Sequence, residues 1–139
     1  MKRFIIISII ALSLIGSFSA CTTYDEGPGF TVIPAEKRIQ GTWEQTELYI
    51  NDELQDGSFK IEFKFNSDGT GTRSSTLGSG TTTDDIEWQF NDDKTILMFK
   101  DTGDDEWDEA TILRLTTKDL WILEDVGLFG MWQFRYEKV

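Results

Sequence analysis

Carboxylates are the reactive groups this chain holds in quantity. Asp101, Asp104, Asp105, Glu106 and Asp108 crowd one segment, and Asp84-Asp85 and Asp92-Asp93 stand as pairs. Oxygen ligands so clustered would suit Ca²⁺, and a separated pair could serve glycoside hydrolysis. The cluster does not follow the ligand order of an EF-hand, so a solvated acidic loop is the plainer reading. The two Asp pairs sit in turn-forming company. Absence excludes more. With no histidine in the chain, His-based nucleophile triads and His-bearing zinc sites cannot be assembled. Gly69-x-Gly71 and Gly78-x-Gly80 lie in hairpins, not in the strand-to-helix setting of a phosphate loop. The expectation is therefore no catalytic set, no metal site and no cofactor, in a protein that is not an enzyme.

The remaining reactive side chain is the sole cysteine, Cys21. It closes an N-terminal segment built as a signal peptide. Met1-Lys2-Arg3 is a positive start, Phe4 to Ile15 is nearly all apolar, and small residues lead to the cysteine. The apolar run is too short for a membrane span. The ending Phe18-Ser19-Ala20-Cys21 resembles the lipobox of bacterial lipoproteins, with Phe18 where leucine is usual. That resemblance implies cleavage before Cys21 and attachment of palmitate-type acyl chains to it, enough for stable anchoring. The plain alternative is an ordinary thiol behind a standard cleavage site. Loss of Lys2 and Arg3 would take the formal charge from −12 to −14.

Residues 22–29, Thr-Thr-Tyr-Asp-Glu-Gly-Pro-Gly, are polar and broken by Gly and Pro, so 21–33 reads as lipidated cysteine plus flexible tether. Asp25-Glu26 resembles the acidic signal that sends some Gram-negative lipoproteins to the outer face of the outer membrane. A solvated linker fits equally, and surface-exposed and periplasmic placements both stay open. The expected location is the cell envelope, lipid-anchored at the outer membrane of a Gram-negative bacterium, with the membrane a partner through Cys21.

The body, 34–139, is organised by turns. Pro34 to Gln40 can form one helical turn, and Gly41 frees the chain to enter a strand at Thr42–Ile50. The next strand, Ser58–Phe65, alternates Phe59, Ile61, Phe63 and Phe65 with Lys60, Glu62 and Lys64, the period of a half-buried antiparallel strand. Strands follow at 70–76, 82–90, 95–100, 106–116, 118–124 and 129–138, with turn residues between them. The 70–76 strand is polar, suited to a short strand or a barrel mouth. Eight strands with hairpin-length links predict an all-β, antiparallel up-and-down meander closed into a barrel, which also removes exposed edges. A single cysteine allows no internal disulfide, so the fold must rest on its core of Trp, Phe and Tyr.

Gly41-Thr42-Trp43, after a helical turn and opening the first of eight meander strands, resembles the lipocalin-like (calycin) barrel. The resemblance covers residues 34–139, although the body is shorter than a typical lipocalin and has no C-terminal helical segment. It implies that Trp43 packs at the closed end, with a basic residue of the last strand laid across it. Arg135 in Met131-Trp132-Gln133-Phe134-Arg135-Tyr136 is the candidate, and a guanidinium over an indole gains cation–π energy of about 0.5–2 kcal/mol. A surface Arg135 with Trp43 as plain core is the alternative.

The apolar strand faces, Phe59, Ile61, Phe63, Phe65, Ile86, Trp88 and Phe90, read first as core and second as ligand lining. An eight-stranded barrel has room to be filled or to hold one small ligand. The function expected is a membrane-anchored protein that binds a small apolar molecule. The alternative is a filled barrel acting as a protein- or glycan-interaction module. A formal charge of −12 excludes nucleic acid as a partner and favours a soluble monomer.

Overall fold

The computed structural model describes residues 24–139. The expected signal peptide 1–20 and Cys21 lie outside the described residues. A short helix, α1 (Ala35–Ile39), precedes strands β1 (Gly41–Ile50), β2 (Glu53–Leu54), β3 (Phe59–Phe65), β4 (Thr70–Leu77), β5 (Gly80–Phe90), β6 (Ile96–Asp101), β7 (Asp108–Leu115), β8 (Asp119–Asp125) and β9 (Met131–Lys138). Every ladder is antiparallel, and β9 returns to pair with β1. Eight strands thus close into an up-and-down barrel, as the turn spacing predicts. The two-residue β2, unforeseen in the sequence, pairs Leu54 with Tyr49 and Glu53 with Ile50 at the far end of β1.

Alternation places the side chains. Phe63 and Phe65 of β3, Ile86 and Trp88 of β5, Leu97 and Phe99 of β6, Leu120 and Ile122 of β8, and Phe134 and Tyr136 of β9 point inward and form one core. Their rings interlock: Phe63 stacks on Phe65 at 5.2 Å and meets Phe99 and Tyr136 edge-on at 5.2 and 5.7 Å. Such pairs add to the apolar burial that must hold a disulfide-free barrel. β4 is a full eight-residue strand despite its polar sequence, because β3 and β5 pair with it along its length. It needs Gly71, since a Cβ there would lie 1.9 Å from the Lys64 carbonyl oxygen.

Several turns are closed by one local device. The carboxylates of Asp56, Asp68 and Asp93 accept from the backbone N–H and hydroxyl of Ser58, Thr70 and Thr95, two residues on. These bonds, the hydroxyls first, hold the three carboxyls below the usual range.

Three expectations are corrected. Asp84 and Asp85 do not form a turn; they lie inside β5, because β4 pairs along it and sets them opposite Arg73 and Thr72. The last strand starts at Met131, not Phe129. Leu128 and Phe129 stand exposed on a 3₁₀ turn, and Gly130, at φ +88°, ends it before pairing with β8 begins. Nor do all residues of 21–33 hang free. Tyr24 is buried against the closed end, its hydroxyl donating to the Lys94 carbonyl at 3.1 Å. The Glu26 N–H donates to the Leu113 carbonyl at 2.7 Å, and the Leu115 N–H to the Gly27 carbonyl at 3.3 Å. An aromatic ring and two free backbone pairs at the β7 bulge outweigh the Gly-Pro character of this stretch. Phe30, Val32 and Ile33, by contrast, are exposed.

Candidate functional site

The two ends of the barrel differ. One is plugged. α1 lies across it, Trp43 and Ile39 are fully buried there, and the Trp43 indole N–H donates to the Ile39 carbonyl at 2.7 Å. Arg38 is buried beside the Tyr24 ring and donates to the Leu115 carbonyl. The cation over Trp43 is Lys138, with Nζ 4.8 Å from the ring centroid, donating to the carbonyls of Arg38 and Gln40 at 2.7 Å each. Burial lowers its pKa.

Arg135 does not take that place. Its strand neighbours Phe134 and Tyr136 point inward, so period two sends Arg135 outward. There it lies 4.0 Å from the Trp121 ring centroid and 4.7 Å from that of Tyr49, and pairs with Glu47 at 2.9 Å. Lys138 has the parity of Tyr136 and is the direct partner of Trp43 in the β1–β9 register. The role implied for a basic residue in the closing strand is therefore filled by Lys138.

The other end is open and asymmetric. β1 and β3 pair from Gly41 to Glu44. Past that point the Gln45 side chain bridges them, donating to the Phe59 carbonyl at 3.1 Å and accepting from the Ile61 N–H at 2.9 Å. The strands part over a recess of about 250 Å³ lined by Leu48, Ile50, Gln55, Asp56, Ser58, Phe59 and Trp132. Its apolar walls come from β1, β3 and β9. Its rim is braced by Asn51, which accepts from the Met131 N–H at 3.0 Å, and by Trp132, whose indole N–H donates to the Phe129 carbonyl at 3.1 Å. A larger groove, about 380 Å³, runs over β1, β3 and β4 but is lined mainly by Glu44, Lys60, Glu62 and hydroxyl side chains, which gives an apolar ligand little to bury.

Polar side chains hold the inner face from β4 to β8; Glu124 is not among the residues that line the recess and adjoins it through Trp132, which is. Arg73 pairs with Asp101 at 2.8 Å and reaches Asp84 at 4.0 Å. Glu124 is the cross-strand partner of Trp132, so both side chains stand on the inner face. It has no hydrogen bond or ion pair among the described residues. Burial first, and repulsion from Asp108 second, push its pKa up to about 7, while Arg73 opposes the rise. Beneath it Tyr136 is fully buried, and its hydroxyl has no hydrogen-bond partner. Burial and the nearby Glu124 raise the phenol well above its ordinary value.

The seven residues singled out from the sequence divide along the barrel axis. Phe59 lines the recess and Ile61 sits half-buried next to it. Phe63, Phe65, Ile86 and Trp88 are buried in the core, and half-buried Phe90 packs on Trp88 at 5.7 Å. Among the described residues no group of three or more Asp, Glu, His or Cys is placed to hold a metal ion, and the acidic 101–108 segment is no exception. Glu124, Tyr136, Arg73 and Trp132 were not anticipated. Parity could have found the first two: Glu124 follows Leu120 and Ile122, and Tyr136 follows Phe134, each two residues on.

A closed eight-stranded meander, plugged at one end by a helical turn over Gly41-Thr42-Trp43 and open at the other, defines a calycin-type barrel. The lipocalin-like domain family matches residues 39–122, and the chain belongs to that family. Its members are generally binding proteins rather than enzymes. No curated protein matches the chain.

Proposed function

We propose that this protein is a non-enzymatic binding protein of the cell envelope, which takes one small, largely apolar ligand at the open end of its barrel. The observation that carries this reading is the recess between Leu48, Ile50, Phe59 and Trp132, on the end away from the Trp43 plug. A volume of about 250 Å³ suits a short alkyl chain or a compact aromatic molecule rather than a long lipid. Burial of apolar surface there supplies affinity at about 25 cal/mol per Å². Titration with the neutral apolar probe N-phenyl-1-naphthylamine tests it. The probe's fluorescence should rise and saturate, and Phe59→Ala or Trp132→Ala should weaken binding about tenfold. An unchanged probe signal with the folded protein rejects the reading.

Anchoring through an acylated Cys21 is part of the same proposal. Only Thr22 and Thr23 lie between Cys21 and Tyr24, which is held at the plugged end. That spacing spans about 10 Å at most, so the anchor would keep the plug near the bilayer and point the mouth away from it. Cys21→Ala should release the protein from the membrane fraction; retention contradicts lipidation. The second reading, an interaction module, is favoured by Leu128 and Phe129, both exposed beside the mouth.

A further inference from the structure

We propose that the ligand of this recess is a small amphipathic amine, its ammonium held by Glu124 against Trp132 and its apolar part lying on Leu48, Ile50 and Phe59. This rests on the binding function proposed above and names the ligand class.

The inner wall lacks a countercharge. Four carboxylates, Asp84, Asp101, Asp108 and Glu124, belong to the inner wall and rim, and one cation, Arg73, sits among them. Arg73 is already committed to Asp101 at 2.8 Å and Asp84 at 4.0 Å. Glu124 is left half-buried with no ion pair or hydrogen bond among the described residues. An unpaired carboxylate taken out of water is costly unless a partner arrives. An independent feature points the same way: the fully buried Tyr136 hydroxyl below it also lacks a partner, leaving a second acceptor oxygen beneath the carboxylate.

The three ligand classes differ sharply here. An anionic head would face Glu124, Asp108 and the exposed rim of Asp104, Asp105 and Glu106. A neutral apolar ligand would strip water from Glu124 without replacing it. An ammonium supplies both the charge and the N–H donors that the carboxylate lacks. Trp132, its cross-strand partner, offers an indole face to the same cation. The acidic rim adds long-range attraction for cations.

Calorimetric titration of the Cys21→Ala protein with octylamine, octanol and octanoate at pH 8 separates the outcomes. Octylamine should bind about ten- to a hundredfold more tightly than octanol, as a charge-assisted contact requires, with octanoate weakest. Glu124→Gln should bring octylamine down to the affinity of octanol and leave octanol unchanged. The amine's advantage should shrink from pH 8 to pH 5, as Glu124 gains a proton amid Asp84, Asp101, Asp108, Arg73 and Tyr136. Equal affinity for amine and alcohol, a preference for octanoate, or an amine preference that survives Glu124→Gln overturns the ammonium site and leaves the recess standing. Failure of all three probes to bind the folded protein removes the recess as well.

Discussion

Glu124 is where the chain's chemistry concentrates. An acid whose pKa is raised on folding holds its proton more tightly in the native state than in the unfolded one. Its contribution to stability is therefore full below pH 4.5 and is lost as pH rises through about 7. The wild-type protein should lose on the order of 2 kcal/mol of unfolding free energy across that window, allowing for partial solvent screening. Glu124→Gln should flatten the slope and make the protein more stable than wild type at pH 8. Urea unfolding at a series of pH values between 5 and 8 measures both, and an unchanged slope in the variant would place the titrating group elsewhere. Tyr136→Phe removes a buried hydroxyl that has no partner, so thermal unfolding should show a neutral or stabilising change. A loss of more than about 1 kcal/mol would mean that the hydroxyl is satisfied in solution.

At the scale of elements, the plug and the closing strand decide which cation matters. Lys138 donates to two carbonyls at the end of α1 and lies over Trp43, whereas Arg135 is on the outer face with Glu47, Tyr49 and Trp121. Lys138→Met should cost about 1–3 kcal/mol by leaving those carbonyls short of a donor. Arg135→Met should cost less than about 1 kcal/mol, the range of exposed pairs. Chemical denaturation of the two variants ranks them, and the reverse order would restore Arg135 to the plug. The sequence contains this distinction. Trp132, Phe134, Tyr136 and Lys138 share one parity and Arg135 has the other, so strand period alone separates them. What strand period could not show was the split between β1 and β3. It depends on the Gln45 side chain standing in for backbone pairing, and no local pattern marks a glutamine for that task. The packing of residues 24–27 was hidden for a similar reason: Tyr24 bonds Lys94, seventy residues on, and Glu26 and Gly27 bond Leu113 and Leu115, further still along the chain.

For the whole molecule, the meander was legible because turn residues fall at regular intervals and each apolar run is strand-length. The division of the barrel interior was not. Phe63 and Phe59 look alike in sequence, yet one is sealed in the core and the other lines the recess, because depth along the barrel follows from register and closure. Closure itself rests on close backbone approaches such as Gly71 under the Lys64 carbonyl. Gly71→Ala should cost about 3 kcal/mol by forcing β3 and β4 apart, read as a lowered unfolding midpoint. A midpoint within error of wild type would mean that the ladder shifts freely. The proposed ligand enters at the mouth, opposite the plug, and amide NMR titration with octanol reads the point of entry residue by residue. Chemical shifts should move for residues 48–59 and 131–134 and stay fixed for residues 39–43 and Lys138. Shifts centred on α1 and Trp43, or no shifts at all, would contradict it.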